Sequence, residues 1–143
     1  MVDFLNSERF RHVTHNALRI VAGAAFLTHG GQKLFGWFGA QGPRVEPFEY
    51  LIAGILEFGG GLAIMLGLFT QPIAFIIAGE MAVAYFWKHA PGREGGYHLW
   101  WWVNRGEVVM LFSFIWLFFS AHGAGSFSLD AWLAKRRKSA TTP

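Results

Sequence analysis

The sequence predicts an all-α integral membrane protein: a bundle of four transmembrane helices, both termini cytoplasmic, with short amphipathic helices at either end. Three observations predict it. Four apolar stretches, at 17–35, 50–69, 72–88 and 104–120, approach or reach the roughly 17–25 residues that carry a helix across a bilayer. The 143-residue chain is 53% hydrophobic, 17% aromatic and only 15% charged, with a mean hydropathy of +0.32, whereas a soluble domain is about 25% charged. The few charged residues that do fall inside the apolar stretches are spaced and placed alike, which scattered substitution would not give.

Residues 1–16 read as a polar, amphipathic segment. Phe4, Leu5 and Phe10 suit the membrane interface, and Ser7 before Glu8 suits a helix N-cap. This segment lacks the apolar core of a cleavable signal peptide, so the first helix is expected to act as its own insertion signal. That helix opens the four-helix domain, 17–122, and runs through ALRIVAGAAFLTHGGQKLF. A Gly/Pro-rich loop follows at 36–49, with Trp37 and Phe38 at the expected interface. The second helix reads YLIAGILEFGGGLAIMLGLF. The link Thr70–Gln71–Pro72 is so short that the second and third helices must form an antiparallel hairpin, and Pro72 is tolerated at a helix start because its missing N–H would be unpaired there anyway. The loop 89–103 carries Trp100, Trp101 and Trp102 as an aromatic belt, and the fourth helix runs from Asn104 to about Ser120. The tail, 123–143, reads as an interfacial helix with Leu129, Trp132 and Leu133 toward lipid and the basic run Lys135–Arg136–Arg137–Lys138 toward anionic head groups.

Orientation follows from the basic residues. Arg9, Arg11 and the basic tail lie on one side, against Arg44, Lys88, Arg93 and Arg105 on the other, which favours cytoplasmic termini. The net charge of +3 sits largely in the tail, so it points to lipid rather than nucleic acid. With no cysteine, the chain has no disulfide framework, thiolate metal site or thiol relay of its own. No metal site is expected, and no flavin, nicotinamide, iron–sulfur or nucleotide motif is present. No cofactor is therefore encoded in the chain.

The candidate site comes from depth. At 1.5 Å per residue, His29 lies about 4–5 Å and Lys33 about 10 Å outward of the first helix's midpoint. Glu57 lies a few ångströms outward in the second helix, Glu80 near the centre of the third, and Glu107 at the outer end of the fourth. Ionisable groups at mid-membrane are functional candidates by default. The inner half is almost purely apolar, with Arg19 at its edge. His29 and Lys33 share a helix face, and Gly54 and Gly61 flank Glu57 with a small stripe that admits another helix closely. Three carboxylates facing a lysine and a histidine would make a polar-headed, apolar-walled pocket open outward. Plainer readings stand beside this one. Lys33 can snorkel to the interface. Glu107 and Asn104 fit a capping box, N-R-G-E. His29 can serve as a helix–helix hydrogen-bond donor, a Lys–Glu pair can lock the bundle, and Gly59–Gly60–Gly61 suits a close-packing face.

The segments LRIVAGAAFLTHGGQKLFGWFG (18–39), LEFGGGLAIMLGLFTQP (56–72), EMAVAYFWKHA (80–90), NRGE (104–107) and GAGSFSLD (123–130) together resemble the DoxX family of small bacterial four-helix membrane proteins. The resemblance covers about 17–130. It implies a multi-pass protein of the bacterial inner membrane in a redox context. Some family members are subunits of a thiosulfate:quinone oxidoreductase, and others accompany a superoxide dismutase and a sulfurtransferase-like protein. The family's motif positions fall on His29, Lys33, Glu57, Glu80, Asn104 and Glu107. The expected function is a membrane subunit of an oxidoreductase that binds a quinone and takes electrons from a membrane or peripheral redox partner. The alternatives are a non-enzymatic anchor or assembly subunit and a small-solute or proton pathway, with homo-oligomerisation open in each case.

Overall fold

The computed structural model describes residues 1–39, 42–44, 46–91 and 96–141. Among them the structure is all-helical, with no strand. Helix α1 is a single turn, Val2–Leu5, and α2 runs from Glu8 to Phe35. Ser7 caps α2 as its sequence suggests: its Oγ accepts the Phe10 N–H at 3.2 Å. The helix therefore starts inside the segment read as N-terminal and continues without a break, because no glycine or proline interrupts 8–22. Gly36, at φ 68°, ends it in a left-handed turn that an L side chain would resist.

Helix α3 is Phe48–Leu66, and Gly67 (φ 69°) closes it. Helix α4 is Thr70–Ala84, so the hairpin link is Gly67–Leu68–Phe69, slightly earlier than the sequence suggests, and Pro72 lies within the first turn, where no intrahelical N–H bond is lost. Helix α4 passes directly into a π-helical turn, Tyr85–His89. A short α5, Trp101–Asn104, precedes α6, Glu107–His122, and α7 is Leu129–Thr141. The expected start of the fourth long helix at Asn104 is corrected. Arg105 turns into the left-handed region (φ 58°) and breaks the chain between α5 and α6. The capping-box reading fails with it: the N-cap of α6 is Gly106, whose N–H is held by Asn104 Oδ1 at 2.8 Å.

Helix α3 is long and apolar enough to cross a membrane, and α6 is a shorter apolar helix. The long helices pack as two close pairs, α2 with α3 and α4 with α6; α3 and α4 meet less extensively, and α2 meets α6 at greater backbone distance through rings, Phe26 against Phe112 and Trp116 and His15 against Phe119. Glycines set the first pair. A Cβ on Gly30 would sit 2.2 Å from the Phe58 backbone nitrogen, and one on Gly61 would sit 2.5 Å from that of Leu27. The three consecutive glycines divide their roles: Gly61 meets α2, Gly60 meets Ile77 of α4, and Gly59 faces outward with nothing near it. Phe26, Ile64, Ile77, Met81, Trp116 and Phe119 fill the centre. Outside, Val21, Ile55, Phe75, Leu111 and Phe114 are all more than half exposed, an exterior suited to lipid. In lipid the pairs are held by close packing and polar contacts, because burying apolar area there gains little.

The end of the bundle where α3 turns into α4 is tied by a knot that the apolar pattern hid. Arg19, placed at an apolar edge by the sequence reading, is 1% exposed. Its guanidinium donates to the Ile64 and Met65 carbonyls at 2.7 and 2.6 Å, closing the open C-terminal end of α3, and to the Phe127 carbonyl of the following strap. The strap, 123–128, folds back across the bundle. His15 bonds the Gly123 carbonyl at 3.0 Å, Asn16 accepts the Phe127 N–H at 3.2 Å, and Ala124 is buried. Asp130, at the start of α7, accepts the Phe69 and Thr70 N–H groups at 2.8 and 2.9 Å and so caps α4 from a distance in sequence. The GAGSFSLD segment is thus a clasp.

Candidate functional site

At the opposite end the four long helices part around a cavity of about 510 Å³. Each contributes one face at helical spacing. Helix α2 presents Phe26, His29 and Lys33; α3 presents Glu49, Ala53, Leu56 and Glu57; α4 presents Ile76, Glu80, Val83 and Ala84, followed by Trp87, Lys88 and His89 of the π-helical turn; α6 presents Val108, Val109 and Phe112. The walls are chiefly aliphatic and aromatic, and the charged groups gather among them, the usual composition of a small-molecule pocket.

Lys33 and Glu57 form the fixed centre. The Lys33 ammonium donates to both carboxylate oxygens of Glu57, whose side chain is buried, while the lysine stem is partly shielded. The pair bridges α2 and α3 where Gly54 lets the Lys33 and Leu34 side chains in. Glu80 approaches from α4, within electrostatic reach of both Glu57 and Lys33. Its Oε2 is buried and has no hydrogen-bond partner. One lysine therefore faces two carboxylates, and the lysine is already committed to one of them. Glu80 keeps unused hydrogen-bonding capacity inside the cavity, and a buried polar group left that way is costly unless something completes it. His29 lines the same cavity on its exposed side, within reach of the Glu57 charge and edge-on to Phe112 at 6.0 Å. Among the described residues no group of three His, Asp or Glu side chains is placed to hold a metal ion.

The structure thus brings His29, Lys33, Glu57 and Glu80 together and leaves Asn104 and Glu107 outside the cavity wall. Asn104 instead organises the loop beyond it. Its amide donates to the Tyr85 hydroxyl at 3.1 Å and to the His98 carbonyl at 2.8 Å; Tyr85 in turn donates to the Leu99 carbonyl, and His89 Nδ1 contacts the Asn104 carbonyl at 3.2 Å. Glu107 opens α6, half-buried, immediately before the first cavity residue of that helix, Val108. Arg93, counted among the outer charges in the sequence, lies outside the described residues.

Three ionisable residues of the cavity, Glu49, Lys88 and His89, were not among the candidate site residues read from the sequence. Lys88 donates to Glu49 at 3.0 Å across the mouth, from the end of α4 to the start of α3, and its ammonium lies 5.5 Å from the Tyr50 ring. His89 completes that rim. Glu49, Ala53 and Glu57 fall at i, i+4 and i+8, a stripe that the sequence does display. The π-helical turn that carries Lys88 and His89 leaves no such signal, because the extra residue per turn shifts every later position.

The profile of the DoxX family matches residues 15–90. An uncharacterized protein of Haemophilus influenzae is 37% identical over 129 residues, covering 87% of this chain and 94% of its own length. The inner membrane protein YqjF of Escherichia coli is 32% identical over 122 residues, covering 82% of this chain and 90% of its own. No solved structure matches. The chain belongs to the DoxX family.

Proposed function

We propose that this member of the DoxX family is a four-span protein of the bacterial inner membrane whose cavity receives a quinone head group, as the membrane subunit of an oxidoreductase that draws electrons from a separate redox protein. Membrane residence is supported by the apolar exterior and by the name of the Escherichia coli relative. In this reading α2, α4 with its π-helical extension, and α6 are three further spans beside α3, and an even number of spans leaves both termini on one side. The basic α7 favours the cytoplasm for that side.

The observation that carries the reading is the unpartnered Glu80 carboxyl beside a self-satisfied Lys33–Glu57 pair, in a cavity walled by Phe26, Phe112, Leu56 and Trp87. A quinone is a flat apolar ring with polar oxygens at two opposite edges. The apolar walls suit the ring, and Glu80 and His29 suit an oxygen. Reduction of a quinone to a quinol takes two electrons and two protons; the electrons come from the partner, and Glu80 and His29 are the groups placed to pass protons. Lys33 is spoken for by Glu57, so it sets the local potential rather than reaching for the ligand.

The test is equilibrium binding of a decyl-tailed dimethoxybenzoquinone to the purified protein, read by quenching of tryptophan fluorescence. Glu80→Gln is expected to weaken binding about tenfold, as the loss of roughly 1.4 kcal/mol requires, with unchanged gel-filtration behaviour. Equal affinity of variant and wild type would remove Glu80 from the site, and no quenching of the wild type would remove the quinone.

An anchor or assembly role is the second reading, favoured by the basic α7, where Arg136 stacks 4.0 Å over Trp132 at the surface. Co-purification of a redox partner that survives loss of quinone binding would select it. A solute or proton pathway finds less support: beyond Phe26 the interior is filled by Ile64, Trp116 and Phe119, and then by Arg19.

A further inference from the structure

The cavity reaches the surface at two seams of different chemistry. Between α2 and α6 the exposed lining is His29 and Val108. Between α3 and α4, below the Lys88–Glu49 bridge, it is apolar: Ile52 is 43% exposed, Ile76 and Val83 55% each, and Trp87 66%. Ile76, Glu80 and Val83 fall at i, i+4 and i+7, on one stripe of α4, and Trp87 of the π-helical turn follows them along the cavity lining. The acid therefore sits midway along a stripe whose other members face outward. Above the seam, the Lys88–Glu49 bridge spans the mouth on the side where the loops lie. Below it, Gly60 brings α3 tight against Ile77 and shuts the gap. What remains is a slot, closed at both ends, opening sideways from lipid onto Glu80.

We infer that the ligand is a tailed amphiphile which arrives and leaves laterally through the α3–α4 slot, its polar ring at Glu80 and its hydrocarbon chain lying between Ile52 and Val83 into the bilayer. This rests on the head-group reading given above and adds to it the class of molecule and the path. A slot of this kind selects by tail. A hydrocarbon chain keeps its contacts with Ile52, Ile76 and Val83 in the bound state, whereas a ring without a tail gains nothing from them. The α2–α6 seam, with an imidazole at its edge, is the poorer path for such a chain.

The experiment compares two probes, the decyl-tailed dimethoxybenzoquinone and the same ring without its tail, on the full chain in nanodiscs of Escherichia coli polar lipid, with protein-free discs as the partition blank. Val83→Phe narrows the slot from α4 and Ile52→Phe from α3, so that one folded variant suffices. Either is expected to weaken the tailed probe about tenfold, the scale of a misfit in an apolar pocket, while changing the tailless ring less than about twofold. Leu111→Phe, on the exposed face of α6 and outside the cavity lining, is expected to change neither, and Val108→Phe, in the cavity wall at the other seam, is expected to affect the two probes alike. Equal loss of both probes in the slot variants, or selective loss of the tailed probe in Val108→Phe instead, would overturn the lateral slot while leaving the head-group site intact. A wild type that binds neither probe would overturn both.

Discussion

Glu57 is held by one partner and buried, and that makes Lys33 the more consequential half of the pair. Replacing Lys33 by methionine keeps the stem but strands a carboxylate between α2 and α3, where a broken buried pair typically costs about 3–5 kcal/mol. Thermal melting in mild detergent should show Lys33→Met markedly destabilised and the double variant Lys33→Met, Glu57→Gln largely restored. A double variant as unstable as the single one would mean that the pair itself, not its charge balance, holds the helices. The sequence made this centre legible, since His29, Lys33, Glu57 and Glu80 all stand out as charges at the wrong depth. It did not make legible which of them is satisfied. That depends on a lysine reaching across to one carboxylate and not the other, which no spacing along a single helix encodes. Glu107 shared the depth signal, and Asn104 the motif, for another reason: they flank a break between two helices, and Asn104 ties the Tyr85 and His98 loop.

At the scale of elements, the α2–α3 pair is fixed by what is missing at Gly30 and Gly61. Gly61→Ala would push a methyl group into the backbone of Leu27, and overpacking of this kind typically costs about 1–3 kcal/mol. Gly59→Ala, two residues away on the outer face, meets nothing and is expected to leave the melting temperature unchanged or slightly higher, since alanine is the better helix residue. Equal effects at the two positions would contradict the close crossing. Helix existence was readable because apolar runs and caps are local: Ser7 caps α2 where the sequence suggests, whereas Gly67 closes α3 inside the stretch read as 50–69. The breaks were harder. Arg105 takes a left-handed conformation without being glycine, and the π-helical turn at Tyr85–His89 has no composition of its own. Arg19 was hidden by the opposite problem. Its partners are backbone carbonyls at the end of α3 and in the strap, and carbonyls carry no letter in a sequence.

Over the whole molecule, the clasp end unites all four long helices. Asp130→Ala removes the acceptor for two N–H groups at the start of α4 and is expected to cost about 1–2 kcal/mol, as loss of a good N-cap does. Limited proteolysis would then find the chain beyond Gly123 cut earlier than in the wild type; unchanged cleavage would show that Arg19 alone holds the strap. The cavity end is built differently. Lys33–Glu57 joins α2 to α3, and the Tyr85–Asn104 contact stays within α4 and the segment leading to α6; the described ion pair that bridges one helix pair to the other there is Glu49–Lys88, half-exposed and correspondingly weak. A body riveted at one end and joined at the other by one weak ion pair and by ring contacts of Phe112 with Phe26 and His29 has one soft coordinate, the angle between its two halves. The α2–α3 and α4–α6 pairs are the arms of a pair of tongs. Under the function proposed above, whatever occupies the gap is gripped by how far those arms spread, so its affinity is set partly at the far end of the bundle, where nothing touches it.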